Sequence, residues 1–218
     1  MTAILATGLV RGGKKVAILD ADIYNPTIPQ LLPLQNRVLS GEAGLYPAVS
    51  QSGIKVMSLS LLMEDETEPV LWPGPVASKA LGQLWSDVIW DEIDVLFIDL
   101  PSGTGDIPQM AFKDLPLTAA IIVTSPQDLT RLATRRTIHM AQNLDVPILG
   151  LVENYSHYNC PDCASLHSLF GESKPPENIP VLDHLPLTAS LAKACDMGQL
   201  EYLETPYLSN TIRRIEDM

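Results

Sequence analysis

Six short apolar runs punctuate the chain, at residues 15–20, 54–60, 94–99, 119–124, 146–152 and 179–185. Each is continuous rather than alternating. Continuous runs of this length mark strands covered on both faces, as in a parallel sheet. Between them the apolar period lengthens to that of a helix. One helical stretch is predicted over 77–90 and another over 128–144, with Asp128 as the N-cap of the second. Strands alternating with helices predict an α/β fold with a doubly wound, mostly parallel sheet. Residues 155–177 interrupt the alternation with few strand or helix signals, and Lys174-Pro175-Pro176 within them reads as a surface loop. No internal repeat occurs. Residues 1–218 read as one domain carrying this insert at 155–177.

Length and composition narrow the picture. A chain of 218 residues, 46% hydrophobic and 18% charged, is long enough to bury a core without disulfides or zinc. It has 14 Lys and Arg against 26 Asp and Glu, a net charge of −12. Such a chain is repelled by phosphate backbones and anionic lipid, which argues against nucleic-acid and membrane partners. No apolar run of 18 residues is present, so no transmembrane helix is expected. Residues 1–10 are apolar but lack a basic n-region and run into a helical pattern, so no signal peptide is read and a cytoplasmic location is expected. Of three Cys, two form C-x-x-C, which points to a reducing compartment and to metal or redox chemistry rather than a disulfide framework.

Acidic residues close two of the runs. Asp20-Ala21-Asp22 follows the first, and Asp99 ends the third ahead of Leu100-Pro101-Ser102-Gly103-Thr104-Gly105-Asp106. In open α/β sheets the carboxyl edge is where ligands bind. An aspartate closing an apolar strand has Walker B geometry, placing a carboxylate to hold Mg²⁺ beside a phosphate. The Gly103-Thr104-Gly105 turn lets backbone N–H groups approach a γ-phosphate. Either aspartate alone is equally well a residue that caps the next turn. At equivalent ends of two strands, the pair favours a nucleotide site.

Cys160-Pro161-Asp162-Cys163 lies in the insert. Thiolates two residues apart can share one metal or cluster, but two ligands fall short of the roughly four such a site wants. The residues leave three readings open: half of a cluster site, a zinc site completed by His157 and His167, and a thioredoxin-like redox pair. Trp72, Trp85 and Trp90 read as core residues, His139 and His184 as structural, and Cys195 as a small buried helix residue.

Longer stretches carry a resemblance. They are residues 13–24 (GKKVAILDADIY), Asn25-Pro26-Thr27-Ile28-Pro29, Leu71-Trp72-Pro73-Gly74-Pro75, residues 97–106 (FIDLPSGTGD), Thr124-Ser125-Pro126-Gln127, residues 149–156 (LGLVENYS) and Cys160-Pro161-Asp162-Cys163 with Phe170-Gly171 behind it. In this order and spacing, over almost the whole chain, the sequence resembles the Mrp/ApbC-like iron–sulfur cluster carrier ATPases. These belong to a deviant-Walker-A P-loop class that also contains division-site ATPases. The resemblance implies a P-loop NTPase fold, ATP with Mg²⁺, and a homodimer whose two Cys160–Cys163 pairs bridge one 4Fe–4S cluster destined for apo iron–sulfur proteins. It implies that Asp22 orients the attacking water, that Asp20 and Asp99 organise Mg²⁺, and that Gly103, Thr104 and Gly105 sense the γ-phosphate. Asn154 would read the adenine, although such an asparagine also serves simply as a turn former.

Three departures accompany the resemblance. Pro73 stands where the family has Arg, and Ser102 where it has a second Pro. The family's opening strand and its K-G-G-V-G-K-[ST] loop have no counterpart, and no G-x-x-x-x-G-K-[ST] occurs. The chain therefore reads as N-terminally shortened relative to the family, with unpaired backbone expected on the neighbours of the absent strand. The functional reading is a cluster carrier with ATPase activity in the intact form. The alternative is a non-catalytic zinc- or cluster-binding dimer module. A division-plane ATPase would lack the Cys pair and carry a basic amphipathic C-terminal helix; residues 208–218 hold only Arg213 and Arg214 as basic groups.

Overall fold

A computed structural model describes residues 1–160, 162–171, 174–176, 178–204 and 207–218, so Pro161 of the Cys motif and Glu177 at the end of the insert lie outside the described residues. In chain order the first half comprises α1 (Thr2–Arg11), β1 (Val16–Asp20), α2 (Ile28–Leu31), β2 (Leu39–Gly41), β3 (Gly44–Tyr46), β4 (Ala48–Val49), β5 (Lys55–Ser58), α3 (Gly74–Ser86), β6 (Val95–Asp99) and α4 (Asp106–Asp114). There follow β7 (Ala120–Thr124), α5 (Asp128–Asn143), β8 (Ile148–Asn154), β9 (Tyr158–Asn159), β10 (Leu166–His167), β11 (Val181–Leu185), α6 (Ala189–Asp196) and α7 (Ser209–Glu216). The α/β class and the mostly parallel sheet expected from the sequence are observed.

The chain forms two compact units. The first comprises residues 1–108 and 193–204. Its sheet runs in the order β4-β5-β1-β6. β1 pairs in parallel with both β5 and β6, while β4 pairs antiparallel with β5. All five residues of β1 are buried, which is why its sequence is apolar without alternation. α1 packs on β1 with Leu5 and Leu9 buried. β6 differs: it has β1 on one side as its strand partner, and every residue of Val95–Asp99 is only half-buried. Residues 193–204 are tied in by the buried carboxylate of Glu201. It accepts hydrogen bonds from the Ser50 hydroxyl, from Ser52 Oγ at 2.5 Å and from Ser52 N at 3.2 Å. Arg11 Nη2 donates to the carbonyls of Glu201 (2.7 Å) and Leu203 (3.1 Å).

The second unit comprises residues 109–192 and 205–218, with an all-parallel sheet in the order β11-β8-β7. Ile122, Ile138 and Leu151 form its core, with Ile148, Ile179 and Val181 packed around them. Gly150 permits the close approach of β8 and β11, since a Cβ there would meet Leu182 Cγ at 2.5 Å. The buried carboxylate of Asp183 caps α7 from outside the helix. It accepts from Thr211 N (2.7 Å), Thr211 Oγ1 (2.6 Å) and Asn210 Nδ2 (3.0 Å).

The structure corrects several local expectations. The helix expected over 77–90 is α3, which starts earlier, at Gly74. Pro75 suits the first turn, where its missing N–H is not needed. The N-cap of α5 is Gln127 rather than Asp128. Asp128 sits in the first turn, where its charge meets the helix dipole, and pairs with Arg131 at 3.0 Å. Trp72 is exposed rather than in the core. His184 is half-exposed, with its Nδ1 3.2 Å from the buried Glu153 carboxylate. Within the insert, β9 and β10 pair antiparallel as a small hairpin. Two-residue strands are too short to leave a period in the sequence.

The cap on α7 is testable. Asp183→Ala strands two buried donors on Thr211, at a cost of about 1–3 kcal/mol. The urea midpoint should fall accordingly with no change in m-value, measured by circular dichroism.

Candidate functional site

Two chemically distinct centres emerge, one in each unit. The first is built by strand register. β1 and β6 pair from Val16 with Val95 through Asp20 with Asp99, so the two aspartates end neighbouring parallel strands side by side. Ala21 N donates to Asp99 O at 2.9 Å and holds the two ends together. Asp20 is buried, its Oδ2 accepting from Ile28 N (3.1 Å) and Ser58 Oγ (3.3 Å) and its Oδ1 from Asp22 N (3.3 Å). Burial, reinforced by the charge of Asp99, pushes its carboxyl up to about 7 against the pull of these donors. Asp99 Oδ1 accepts a hydrogen bond from the Thr2 hydroxyl.

Asp22 is half-buried, and its Oδ1 accepts from Asn25 N at 3.1 Å, which fixes the carboxylate in an Asx turn. After β6 the chain turns through Gly103, whose φ of +88° is the left-handed region that favours glycine. A Cβ at Gly103 or Gly105 would meet nothing within 4 Å, so open space lies beside the backbone of this loop. Asp106, at the start of α4, lies against the start of α3: a Cβ at Gly74 would stand 1.7 Å from Asp106 Oδ2. A side chain there would displace the Asp106 carboxylate, so the loop holding Trp72 and the loop holding Gly103 are joined by contact. Tyr24 Oη donates to Trp72 O at 3.0 Å and links the same segment to the end of β1.

The structure thus brings Asp20, Asp22 and Asp99 to one sheet edge with the Gly103–Gly105 loop following β6. The sequence reading missed Thr2, Ser58, Gly74 and Asp106. Thr2 and Ser58 carry no motif, and the Gly74–Asp106 contact joins residues far apart in sequence.

The second centre lies in the insert. Cys160 and Cys163 occupy the turn of the β9–β10 hairpin, in which Leu166 pairs with Asn159 and His167 with Tyr158. Cys160 N donates to Ser165 O and Ala164 N to Cys160 O, both at 2.9 Å. Ala164 takes a left-handed φ of +57° to close the turn. Cys163 Sγ and Ser165 Oγ are hydrogen-bonded at 3.1 Å. Hydrogen bonds from the Ser165 hydroxyl and backbone, and from Cys160, hold the exposed Cys163 thiol below its ordinary range, favouring the thiolate that binds metals. His157 Nδ1 is instead 2.8 Å from Ser156 Oγ. Among the described residues no three His, Cys, Asp or Glu side chains are placed to share a metal ion. The four-ligand set of His157, Cys160, Cys163 and His167 is therefore not assembled. Cys195 is half-buried in α6, not fully buried as expected. Asn154 ends β8, and its Oδ1 accepts from Tyr155 N at 3.0 Å, closing a local turn.

Residues 1–217 match the protein family described as ParA: NUBPL iron-transfer P-loop NTPase. The iron–sulfur cluster carrier protein of Methanocaldococcus jannaschii is 40% identical over 205 residues, covering 91% of this chain and 71% of that protein. That of Escherichia coli is 36% identical over 208 residues, 93% of this chain and 56% of its own length. A nucleotide-binding protein from Archaeoglobus fulgidus, solved with ADP, superposes with a TM-score of 0.82 at 36% identity, covering 95% of this chain and 84% of that one. The division protein MinD of Pyrococcus horikoshii shares the fold, with a TM-score of 0.63 at 18% identity. No helix among the described residues is long and apolar enough to cross a membrane.

The elevated Asp20 carboxyl gives a pH signature. Between 3.8, its value when unfolded, and about 7, the folded chain keeps a proton that the unfolded chain has released. Stability of the metal-free protein should therefore decline as pH rises through that window, by at most about 1.4 kcal/mol per pH unit, and level off above it. Denaturation curves of Asp20→Asn should lack this slope.

Proposed function

Because the chain belongs to the NUBPL iron-transfer P-loop NTPase family, whose relatives are iron–sulfur cluster carrier proteins, we propose that it holds a 4Fe–4S cluster between the Cys160–Cys163 hairpins of two copies and passes it to apo iron–sulfur proteins. The observation that carries this reading is the half-site. Two thiols are set in one tight turn, one of them biased toward thiolate, with no third ligand among the described residues. A 4Fe–4S cluster takes four thiolates, so two hairpins complete one site. Release exchanges these thiolates for those of the recipient without changing the oxidation state of the cluster. Free thiols fit a reducing, cytoplasmic setting.

The carboxylates of the first unit fit a nucleotide-bound Mg²⁺. Mg²⁺ is held by one or two carboxylates, with waters and phosphate oxygens filling its other positions. Asp20 and Asp99 supply two neighbouring carboxylates, and the cation supplies the charge that lets the buried Asp20 ionise. In this reading Asp22, fixed by Asn25 N, orients the water that attacks the γ-phosphate, and the Gly103, Thr104 and Gly105 backbone faces that phosphate. Asn154 would contact the adenine once its amide leaves the local turn.

Anaerobic reconstitution with iron and sulfide should give about one 4Fe–4S cluster per two chains, read by visible absorbance and metal analysis. Cys160→Ala or Cys163→Ala should each abolish it, while His157→Ala and His167→Ala leave it intact. A zinc-loaded monomer sensitive to both histidine changes would sink the carrier reading in favour of a zinc module.

The 218 residues contain no G-x-x-x-x-G-K-[ST] stretch, so by themselves they offer a phosphate no lysine and backbone cradle of that kind. Calorimetry on this chain with ATP and Mg²⁺ should find no micromolar site. Micromolar binding would show that the carboxylate edge and the Gly103 loop suffice on their own.

A further inference from the structure

Helix α5 presents a face to solvent that its own packing does not explain. Its buried positions are Thr134, Ile138 and Ala141. Ile138 joins the core of the second unit, and Thr134 Oγ1 is 2.8 Å from Thr124 Oγ1 at the end of β7. At about 3.6 residues per turn, the opposite face is a single row: Leu129, Leu132, Arg136, His139 and Asn143. Every residue of that row is exposed. Leu129 is 88% exposed and Leu132 54%, and their spacing makes them neighbours on the face. A helix lying on a sheet ordinarily keeps charged and polar residues there.

Charge adds to the contrast. The chain stands at −12, yet α5 holds three Arg against Asp128 as its one acid. Asp128 is already paired with Arg131 at 3.0 Å. Arg135 and Arg136 are exposed and have no ion-pair partner among the described residues. An acidic partner is repelled by the molecule as a whole and drawn to this stripe. Arginine beside uncovered leucine is also the composition of a contact surface.

The face begins beside the thiol insert, within the same unit. Lys174, Pro175 and Pro176, near the end of the insert, line one cleft with Ser125, Asp128 and Arg131. Leu129 lies in the same first turn of α5 as Asp128. A molecule seated on α5 therefore lies against the segment that carries Cys160 and Cys163.

We propose that the outer face of α5, with Leu129 and Leu132 at its centre and Arg135 and Arg136 beside them, docks an acidic surface of the protein that receives the cluster. The proposal rests on the carrier reading above and adds to it the chemistry of the recipient. That recipient presents carboxylates to the two arginines and an apolar side chain to the two leucines. The arginines govern the rate of approach, and the leucines govern how long the complex lasts.

The test uses the full chain in its metal-free form, so that binding is read apart from cluster chemistry. The probe is the apo form of an acidic 4Fe–4S ferredoxin, followed by interferometry. The parent should bind at low salt and weaken steeply as salt rises. Arg135→Glu with Arg136→Glu should bind about tenfold more weakly or worse, chiefly through slower association. Leu129→Ser with Leu132→Ser should dissociate about tenfold faster with association unchanged. Lys79→Glu with Lys193→Glu, exposed positions in the first unit, changes the net charge equally and should leave binding near that of the parent. Circular dichroism should be the same for all, since every substituted side chain is exposed. A parent that does not bind, α5 variants that bind as the parent does, or control substitutions that weaken binding as much would each overturn the docking face. Capture of duplex DNA or phosphatidylglycerol vesicles in place of the ferredoxin, lost in the Arg variant, would also overturn it, since the stripe would then serve phosphate groups. A chain that docks the ferredoxin through α5 yet assembles no cluster would overturn the carrier reading and leave the docking face standing.

Discussion

The chemistry of the first unit depends on one register. β1 and β6 pair without a shift from Val16–Val95 to Asp20–Asp99, so two carboxylates end adjacent parallel strands at the same level. A slip of one residue would turn one of them to the opposite face of the sheet. The register is enforced by burial, because β1 has no exposed residue to spare and any slip would exchange its two covered faces. Burying the Asp20 carboxylate costs energy, to which the neighbouring Asp99 charge adds, and its carboxyl is pushed up to about 7. A cation placed between the two carboxylates would offset both the desolvation and the repulsion.

Around that pair the loops are fixed by contact rather than by regular structure. Asp22 is tied to Asn25 N, Tyr24 Oη to the Trp72 carbonyl, and Asp106 rests where a side chain at Gly74 would be. The segments after β1, before α3 and after β6 therefore form a linked set.

The thiol hairpin follows the opposite logic. Its geometry is complete as a turn, with Cys160 N on Ser165 O and Ala164 N on Cys160 O, yet incomplete as a metal site. Cys160 and Cys163 bring two thiols into one turn, and the Ser165 hydrogen bond favours the thiolate of Cys163. In this respect the hairpin and the carboxylate edge are separate devices. One is fixed by burial and strand register, the other by the local hydrogen bonds of an exposed turn.

The sequence by itself determined the strands and the chemistry at their ends. Six continuous apolar runs became β1, β5, β6, β7, β8 and β11 to within about two residues; β1 is buried on both faces, whereas β6 is half-buried and β7 and β11 each expose one residue. Asp20, Asp99 and the Cys pair were legible because each sits in a short local motif. What only the tertiary structure decided lies between residues distant in the chain. The Thr2 hydroxyl on Asp99, Ser58 on Asp20, the Asp106 carboxylate against Gly74, and the failure of His157 and His167 to join the cysteines all depend on packing and register. Local patterns encode which face of a strand is buried, whereas the partner across that face is chosen by the whole fold.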